Sequence, residues 1–332
     1  MSNLLTNSRL RAYRECARKH HLMYDEGWRP ARDSEALAVG SAVHVALAAW
    51  WSMPPDVQGL PAALAAVKNQ LQDEYAEQSV RALVEGYDAR WGRDRELYET
   101  LLVERIFEGP LVNPATGAPS RTWTTAGKVD AVVRRLSDGK VLLVEHKTTS
   151  DEIADPTALY WEKLAMDSQV SHYYLGAEQA GHAPEGCLYD VIHKPLLRPK
   201  FATPHDKRRY TKTGALHADQ RDVDETPEQY GERVRQEVES APARHYRRRE
   251  VPRTEADLLD YLYEAWQYGK QIREAELAGR HPKNPEACHR YGTCPFWEHC
   301  AHGLRLEDHP SRFVRLDDVH PELRAHKGGG GK

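Results

Sequence analysis

An α/β fold is predicted for this chain: a mixed central sheet layered between helices, with a helical region before it and a cysteine-bearing segment after it. Three observations point there. Apolar residues recur at helical spacing through the first quarter, two Val-, Leu- and Thr-rich runs flank Asp138-Gly139 near the middle, and helix-like and strand-like patterns alternate beyond them. With 332 residues, 40% of them hydrophobic, the chain can bury a sizeable core. Its 46 Lys and Arg against 50 Asp and Glu exclude a uniformly basic coat but leave room for local positive grooves. The mostly apolar stretch 36–51 is shorter than the ~18 residues of a membrane span and carries His44, so no membrane association is expected. Met1 to Arg11 lacks the apolar core and small-residue cleavage site of a secretory signal, which leads to the expectation of a cytoplasmic protein with reduced thiols.

Taken in order, Ser8 is placed to cap a first helix carrying Cys16, and Ala36 to Trp51 reads as a helix apolar nearly all round, hence buried. A third helical pattern runs from Pro61 to Arg90, and a Gly/Pro/Asn-rich break, Gly109 to Pro119, precedes the change to an extended period. Trp123 to Arg135 and Lys140 to Thr148 then form a β-hairpin about Asp138-Gly139. Asp155-Pro156 opens a helical stretch that Gly181 ends, Cys187 to His193 is a further strand, and Glu255 to Leu277 a long helix. Five segments result: a helical region over 1–100, the core over 101–193, a basic insertion over 194–253, a helix with the cysteines over 254–310, and a tail over 311–332 containing the glycine run Gly328 to Gly331.

The hairpin brings charges together. A two-residue turn at Asp138-Gly139 sets Asp130 opposite Lys147 and Val132 opposite Glu145. Because strand side chains alternate, Asp130, Glu145 and Lys147 then share one face while His146 points to the other. Val141 to Val144 is apolar on both faces, as in a central strand, so charges at its end are costly unless they bind something. Two carboxylates beside a lysine suit Mg²⁺ or Mn²⁺, which polarises a phosphate and lowers the pKa of bound water; phosphodiester hydrolysis is the matching chemistry.

Four short motifs then occur in sequence: Gly40-Ser41-Ala42-Val43-His44, Gly127-Lys128-Val129-Asp130, Glu145-His146-Lys147, and Gln169-Val170-Ser171-His172-Tyr173. In that order they resemble the RecB-type nuclease module of the PD-(D/E)XK superfamily, across most of residues 8–300. The resemblance implies a restriction-endonuclease-like α/β/α core and a Mg²⁺- or Mn²⁺-dependent deoxyribonuclease. It further implies that His44, Asp130, Glu145 and the His146 carbonyl ligate metal, that Lys147 orients the attacking water, and that Gln169 and Tyr173 contact the DNA backbone. Independently, Gln169 and Tyr173 stand i, i+4 on one helical face just after the acidic strand.

Cys288, Cys294 and Cys300 are separated by five residues each, with Cys16 far upstream. Zinc sites favour two to four residues between paired cysteines, so these wider gaps suit a larger cluster somewhat better. The iron–sulfur branch of the same nuclease family, including the CRISPR-associated exonucleases, has one N-terminal and three C-terminal cysteines. That resemblance implies a [4Fe-4S] cluster on Cys16, Cys288, Cys294 and Cys300. Several members have only two residues between the second and third cysteines; here His289, His299 or His302 could replace a thiolate, leaving zinc as the alternative. Cys187 reads as a core residue.

Two basic tracts are expected to meet nucleic acid. Lys194 to Lys212 carries net +6 and includes Lys207, Arg208, Arg209 and Tyr210, and the second runs from Arg244 through Tyr246 to Arg247, Arg248 and Arg249. The implied activity is a DNA exonuclease acting on single strands or DNA ends, in recombination, repair, phage or CRISPR processes, with a helicase, recombinase or integration partner as a separate chain. The alternative is a non-catalytic adaptor that holds DNA ends for such partners; the intact Glu145-His146-Lys147 argues for the enzyme.

Overall fold

In a computed structural model, which describes residues 3–290 and 292–324, the chain is organised around a six-stranded mixed sheet. Strand β1 (Leu4–Leu5) leads into α1 (Asn7–Glu15) and α2 (Ala17–His20), followed by β2 (Trp28–Pro30) and the helices α3 (Glu35–Ser52), α4 (Leu60–Val67) and α5 (Glu74–Trp91). The long strands β3 (Tyr98–Val112), β4 (Pro119–Arg135) and β5 (Val141–Thr149) come next, then α6 (Leu159–Glu162), α7 (Ser168–Gln179) and β6 (Gly186–His193). The chain closes with α8 (Pro227–Ser240), α9 (Pro242–His245), β7 (Tyr246–Val251), α10 (Glu255–Ala278), α11 (Trp297–His302) and β8 (Phe313–Arg315).

The sheet order is β1-β4-β5-β6-β7, with β3 also paired to β4; β1/β4 and β5/β6 are parallel, the rest antiparallel. Strand alternation sorts the core into two layers. Ala131, Val133, Leu142 and Val144 face α3, α4 and α5 together with Trp51 and Tyr87. Val132, Leu143, Cys187, Tyr189 and Val191 face α7 and the segment around Trp161. This is the α/β/α arrangement with a mixed sheet that the sequence predicts, and Cys187 is buried in it as expected.

Several elements differ from the sequence expectation. The first helix is capped by Thr6, whose side chain accepts from the Arg9 N–H, and Cys16 sits in extended conformation at its end rather than within it. The pattern from 61 to 90 is two helices, because residues 68–73 break between Lys68 and the Asp73 cap. The hairpin pairs Ala131 with Val144 and Arg134 with Val141, so its loop is four residues with Gly139 in the left-handed region (φ 74°), not the two-residue turn. The register therefore slips by two, which leaves every side chain on its expected face and puts Asp130 opposite Glu145. The segment 194–253 is no simple insertion: β7 is an edge strand of the central sheet. Residues from 311 are no simple tail, since β8 pairs with β2 and Phe313 is buried. The glycine run Gly328 to Gly331 lies outside the described residues.

The second basic tract is structural. Arg248 is buried against Trp91, its guanidinium 4.4 Å from the ring centroid, and donates to Asp190 Oδ2 at 3.0 Å and to the Tyr87 hydroxyl at 2.9 Å. Tyr87 donates to the same Asp190 oxygen at 2.5 Å. Arg247 donates to the Ala154 carbonyl, Arg249 lies over Trp161 and donates to the Pro156 carbonyl, and Tyr246 is buried with its hydroxyl on the Leu83 carbonyl. Removing nearly all water around a charge makes its partner indispensable, so Asp190→Asn is expected to lower stability by about 3–5 kcal/mol in urea or thermal unfolding. Burial pushes the Asp190 carboxyl up, but Arg248 and His146 outweigh it and hold the group at about 2. Its contribution is thus complete above the ordinary 3.8 and is lost as pH falls through about 2, a slope that the Asn variant should lack.

Candidate active site

Two elements and a strand end build the site. Helix α3 starts at Ser34, whose hydroxyl accepts from the Leu37 N–H, and its apolar body anchors it in the core, leaving His44 at the sheet. Helix α7 starts at Asp167, which accepts from the Gln169 N–H at 2.8 Å. It lies unusually close to the sheet: a Cβ on Gly176 would come within 2.3 Å of the Phe107 ring, and one on Gly127 within 2.5 Å. His172 clamps it further, bonded to the Ala126 carbonyl at 2.9 Å and the Tyr261 hydroxyl at 2.6 Å.

These supports bring all seven of the expected site residues into contact with one another. Asp130 Oδ1 lies 3.2 Å from His44 Nδ1, and its Oδ2 accepts from the His146 N–H at 2.8 Å. Lys147 Nζ pairs with Glu145 Oε1 and donates to Gln169 Oε1 at 3.0 Å. Gln169 Nε2 in turn donates to the Tyr173 hydroxyl at 2.8 Å. Asp130 and Glu145 are both buried, and Glu145 Oε2 has no hydrogen-bond partner among the described residues. The His146 side chain points to the other face, among Trp51, Tyr87 and His44, with Nδ1 3.6 Å from Asp190.

The charges respond to this crowding. Burial raises the Glu145 carboxyl, and the Asp130 charge adds to the rise. For Asp130, burial works upward too, but His44 overcomes it and holds the group ionised, so His44 is itself raised. Lys147 stays an ammonium, because Glu145 and Asp130 outweigh its desolvation.

The site opens into two adjoining hollows of about 910 and 1430 Å³ that share Leu37, Ser41, His44, Lys147 and Gln169. Cations line them: Arg11, Arg14 and Lys163 on one side, Arg32 and Lys128 on the other. Sequence reasoning missed these as a group, although Arg11 and Arg14 at i, i+3 on α1 were a readable signal. Glu104 also comes to His44 and Asp130. The tract Lys207, Arg208, Arg209 and Tyr210 lines neither hollow. Arg208 donates to the carbonyls of Thr203 and Asp222, Arg209 pairs with Asp219, and Tyr210 forms a bridge with Leu216.

The four distant cysteines do meet around one cavity of about 220 Å³, with Lys19, Asn284 and Phe296. The Asn284 N–H points to Cys16 Sγ at 3.4 Å, and the Cys294 N–H donates to the Cys288 carbonyl at 2.7 Å. All four are free thiols, and among the described residues no three of the cysteine sulfurs lie within 4.8 Å of one another. His289, His299 and His302 do not line the cavity; His299 is bonded to the Leu304 carbonyl.

A mixed sheet between helices, carrying carboxylates and a lysine at the floor of a cation-lined cleft, defines the class of metal-dependent nucleases. The family model of the PD-(D/E)XK nuclease superfamily matches residues 5–301, and the chain belongs to that superfamily. No curated protein matches the chain well enough to add a closer relative. No helix among the described residues is long and apolar enough to cross a membrane.

Proposed function

We propose that the chain is a Mg²⁺- or Mn²⁺-dependent DNA exonuclease of the RecB-like type, acting on single strands or DNA ends. The observation that supports it most is the convergence of Asp130, Glu145 and Lys147 on one sheet face, with Glu145 Oε2 buried and without a hydrogen-bond partner among the described residues. A hard divalent cation held by His44, Asp130, Glu145 and the His146 carbonyl would supply polarisation of the scissile phosphate and an acidified water. Lys147, fixed between Glu145 and Gln169, presents its ammonium where it can hold the attacking water. Gln169 and Tyr173 form the wall beside it and can bond phosphate oxygens. Arg11, Arg14, Arg32 and Lys163 neutralise the strand on its way in. Leu37 and Met166, 56% and 86% exposed on the cleft, offer apolar faces to unpaired bases.

The cysteine cavity is read as a [4Fe-4S] site. A tetrahedral zinc would draw its sulfurs to about 3.8 Å from one another, whereas these four ring a wider hollow, and no histidine stands in for a thiolate. Such a group would tie α1 and α2 to the segment 284–300, a closure already supported by Asn284 Nδ2 on the Glu15 carbonyl at 2.8 Å.

Three outcomes are expected. Lys147→Ala and Asp130→Ala each reduce cutting of end-labelled single-stranded DNA in Mg²⁺ or Mn²⁺ by at least about a hundredfold; retained cutting would defeat the assignment. In salt-dependent binding measurements, replacing Arg11, Arg14 and Lys163 together by Ala weakens affinity and flattens the salt slope by about 2–3, while replacing Lys207, Arg208 and Arg209 leaves both near the native values. Protein purified without air is brown and absorbs visible light, and Cys16→Ser bleaches it; a colourless, zinc-containing protein would exclude the iron–sulfur site.

A further inference from the structure

Glu104 occupies a place in the sheet that the four recognised motifs do not explain. On β3 the pairs Val103 with Ala131 and Arg105 with Val129 bracket it, so Glu104 stands opposite Asp130. Across the other edge of β4, the register of Ala131 with Val144 continues to Asp130 and Glu145. Three carboxylates thus form a row over three adjacent strands, on the ~4.8 Å spacing of a sheet, and cross-strand neighbours share a face. His44 joins at the Glu104 end: one ligand atom each from His44, Glu104 and Asp130 lie within 4.8 Å of one another.

The row has a matching pattern of cations. Lys147 pairs with Glu145 at one end and Lys128 with Glu104 at the other, Lys128 also donating to the Arg324 carbonyl at 3.4 Å. One octahedral Mg²⁺-sized centre spans ligand atoms no more than ~4.2 Å apart. The His44, Glu104 and Asp130 atoms come close to that limit, but Glu145 does not fall within the same trio. A second, independent pointer to a cation is the Glu145 oxygen, buried next to Asp130 with no hydrogen-bond partner among the described residues.

We propose that Glu104 is a metal-binding residue. With His44 and Asp130 it holds one divalent cation, while Asp130, Glu145 and the His146 carbonyl hold the other, so the four-ligand set named above is divided between two centres. The inference deepens the nuclease reading given above, on which its role in catalysis rests. Lys128 competes for the Glu104 carboxylate, so the cation there binds more weakly than its neighbour and must displace the ammonium. The imidazole of His44 favours Mn²⁺ over Mg²⁺ at that centre.

The test is a Mn²⁺ titration of the full chain without nucleic acid, with bound Mn²⁺ counted by equilibrium dialysis and free Mn²⁺ by electron paramagnetic resonance. The native chain is expected to bind two Mn²⁺ of unequal affinity, and Glu104→Gln to bind one. Lys128→Met should tighten the weaker site by about tenfold or more, the effect of removing one competing charge at close range. A native chain that binds a single Mn²⁺, or a Glu104→Gln chain that matches the native count and affinities, would overturn the proposal. Lys128→Met keeps the test decisive should Glu104→Gln fold poorly, since an unchanged weaker affinity also overturns it. DNA cutting plays no part in the count: two bound Mn²⁺ in a protein that cuts nothing would sink the nuclease reading and leave the second centre standing.

Discussion

The costliest feature of the molecule is the carboxylate pair set into its central strands. Water is excluded from Glu145, and Asp130 sits directly across the strand gap, so each charge raises the cost of the other. No fold keeps such a pair for stability, because an apolar pair of the same volume would pack better. The surrounding groups are arranged to hold it: His44 and the His146 N–H bind Asp130, and Lys147 binds Glu145. One oxygen is left over, and a hard cation is the partner that fits it.

The rest of the architecture can be seen as support for that pair. Helix α7 is pressed onto the sheet by two glycines that admit the Phe107 ring, and this close seat carries Gln169 to Lys147. Arg9 does similar work at the N-terminus. Its fully buried guanidinium reaches Asp25 at 3.3 Å, Glu276 at 3.2 Å and His20 at 3.0 Å, and it stacks over Trp123. Residues far apart in sequence are thereby fixed around α1, the helix that offers Arg11 and Arg14 to the cleft. The cysteine cavity lies just beyond the end of the same helix, so the order of the cleft wall and the order of the thiol segment depend on each other.

Much of this was legible in the sequence where a pattern was strong and local. Helix α3 is apolar nearly all round, β5 opens on the apolar run Val141–Val144, β6 is mostly apolar, and α10 ends at Gly279 in the left-handed region; all were read within a few residues. The placement of Asp130, Glu145 and Lys147 on one face survived a wrong turn, because a slip of two residues conserves strand parity. A slip of one would have scattered them. The end of strand β3 was obscured by its own content: Gly109 and Pro110 read as a break although both pair with β4. Glu104 has a φ of 51°, which belongs to no strand pattern, and its partners fix its position.

The arginines show where sequence reading ends. A run of four basic residues in six looked like a surface for phosphate, yet alternation along β7 sends Arg248 inward to Asp190 and lays Arg247 and Arg249 on the loop at 154–156. Such a run states charge without stating environment, and an edge strand packed on both faces absorbs it. The cations that do surround the cleft come from α1, the α2–α3 connection, β4 and the segment before α7. Only the Arg11 and Arg14 pair stands out in its own neighbourhood of the chain. Their potential adds only after folding, because low-dielectric walls concentrate the field of scattered charges at the mouth of a cleft. The electrostatic guide for a polyanion is therefore a property of the tertiary structure, while the carboxylates it leads to are a property of two adjacent strands.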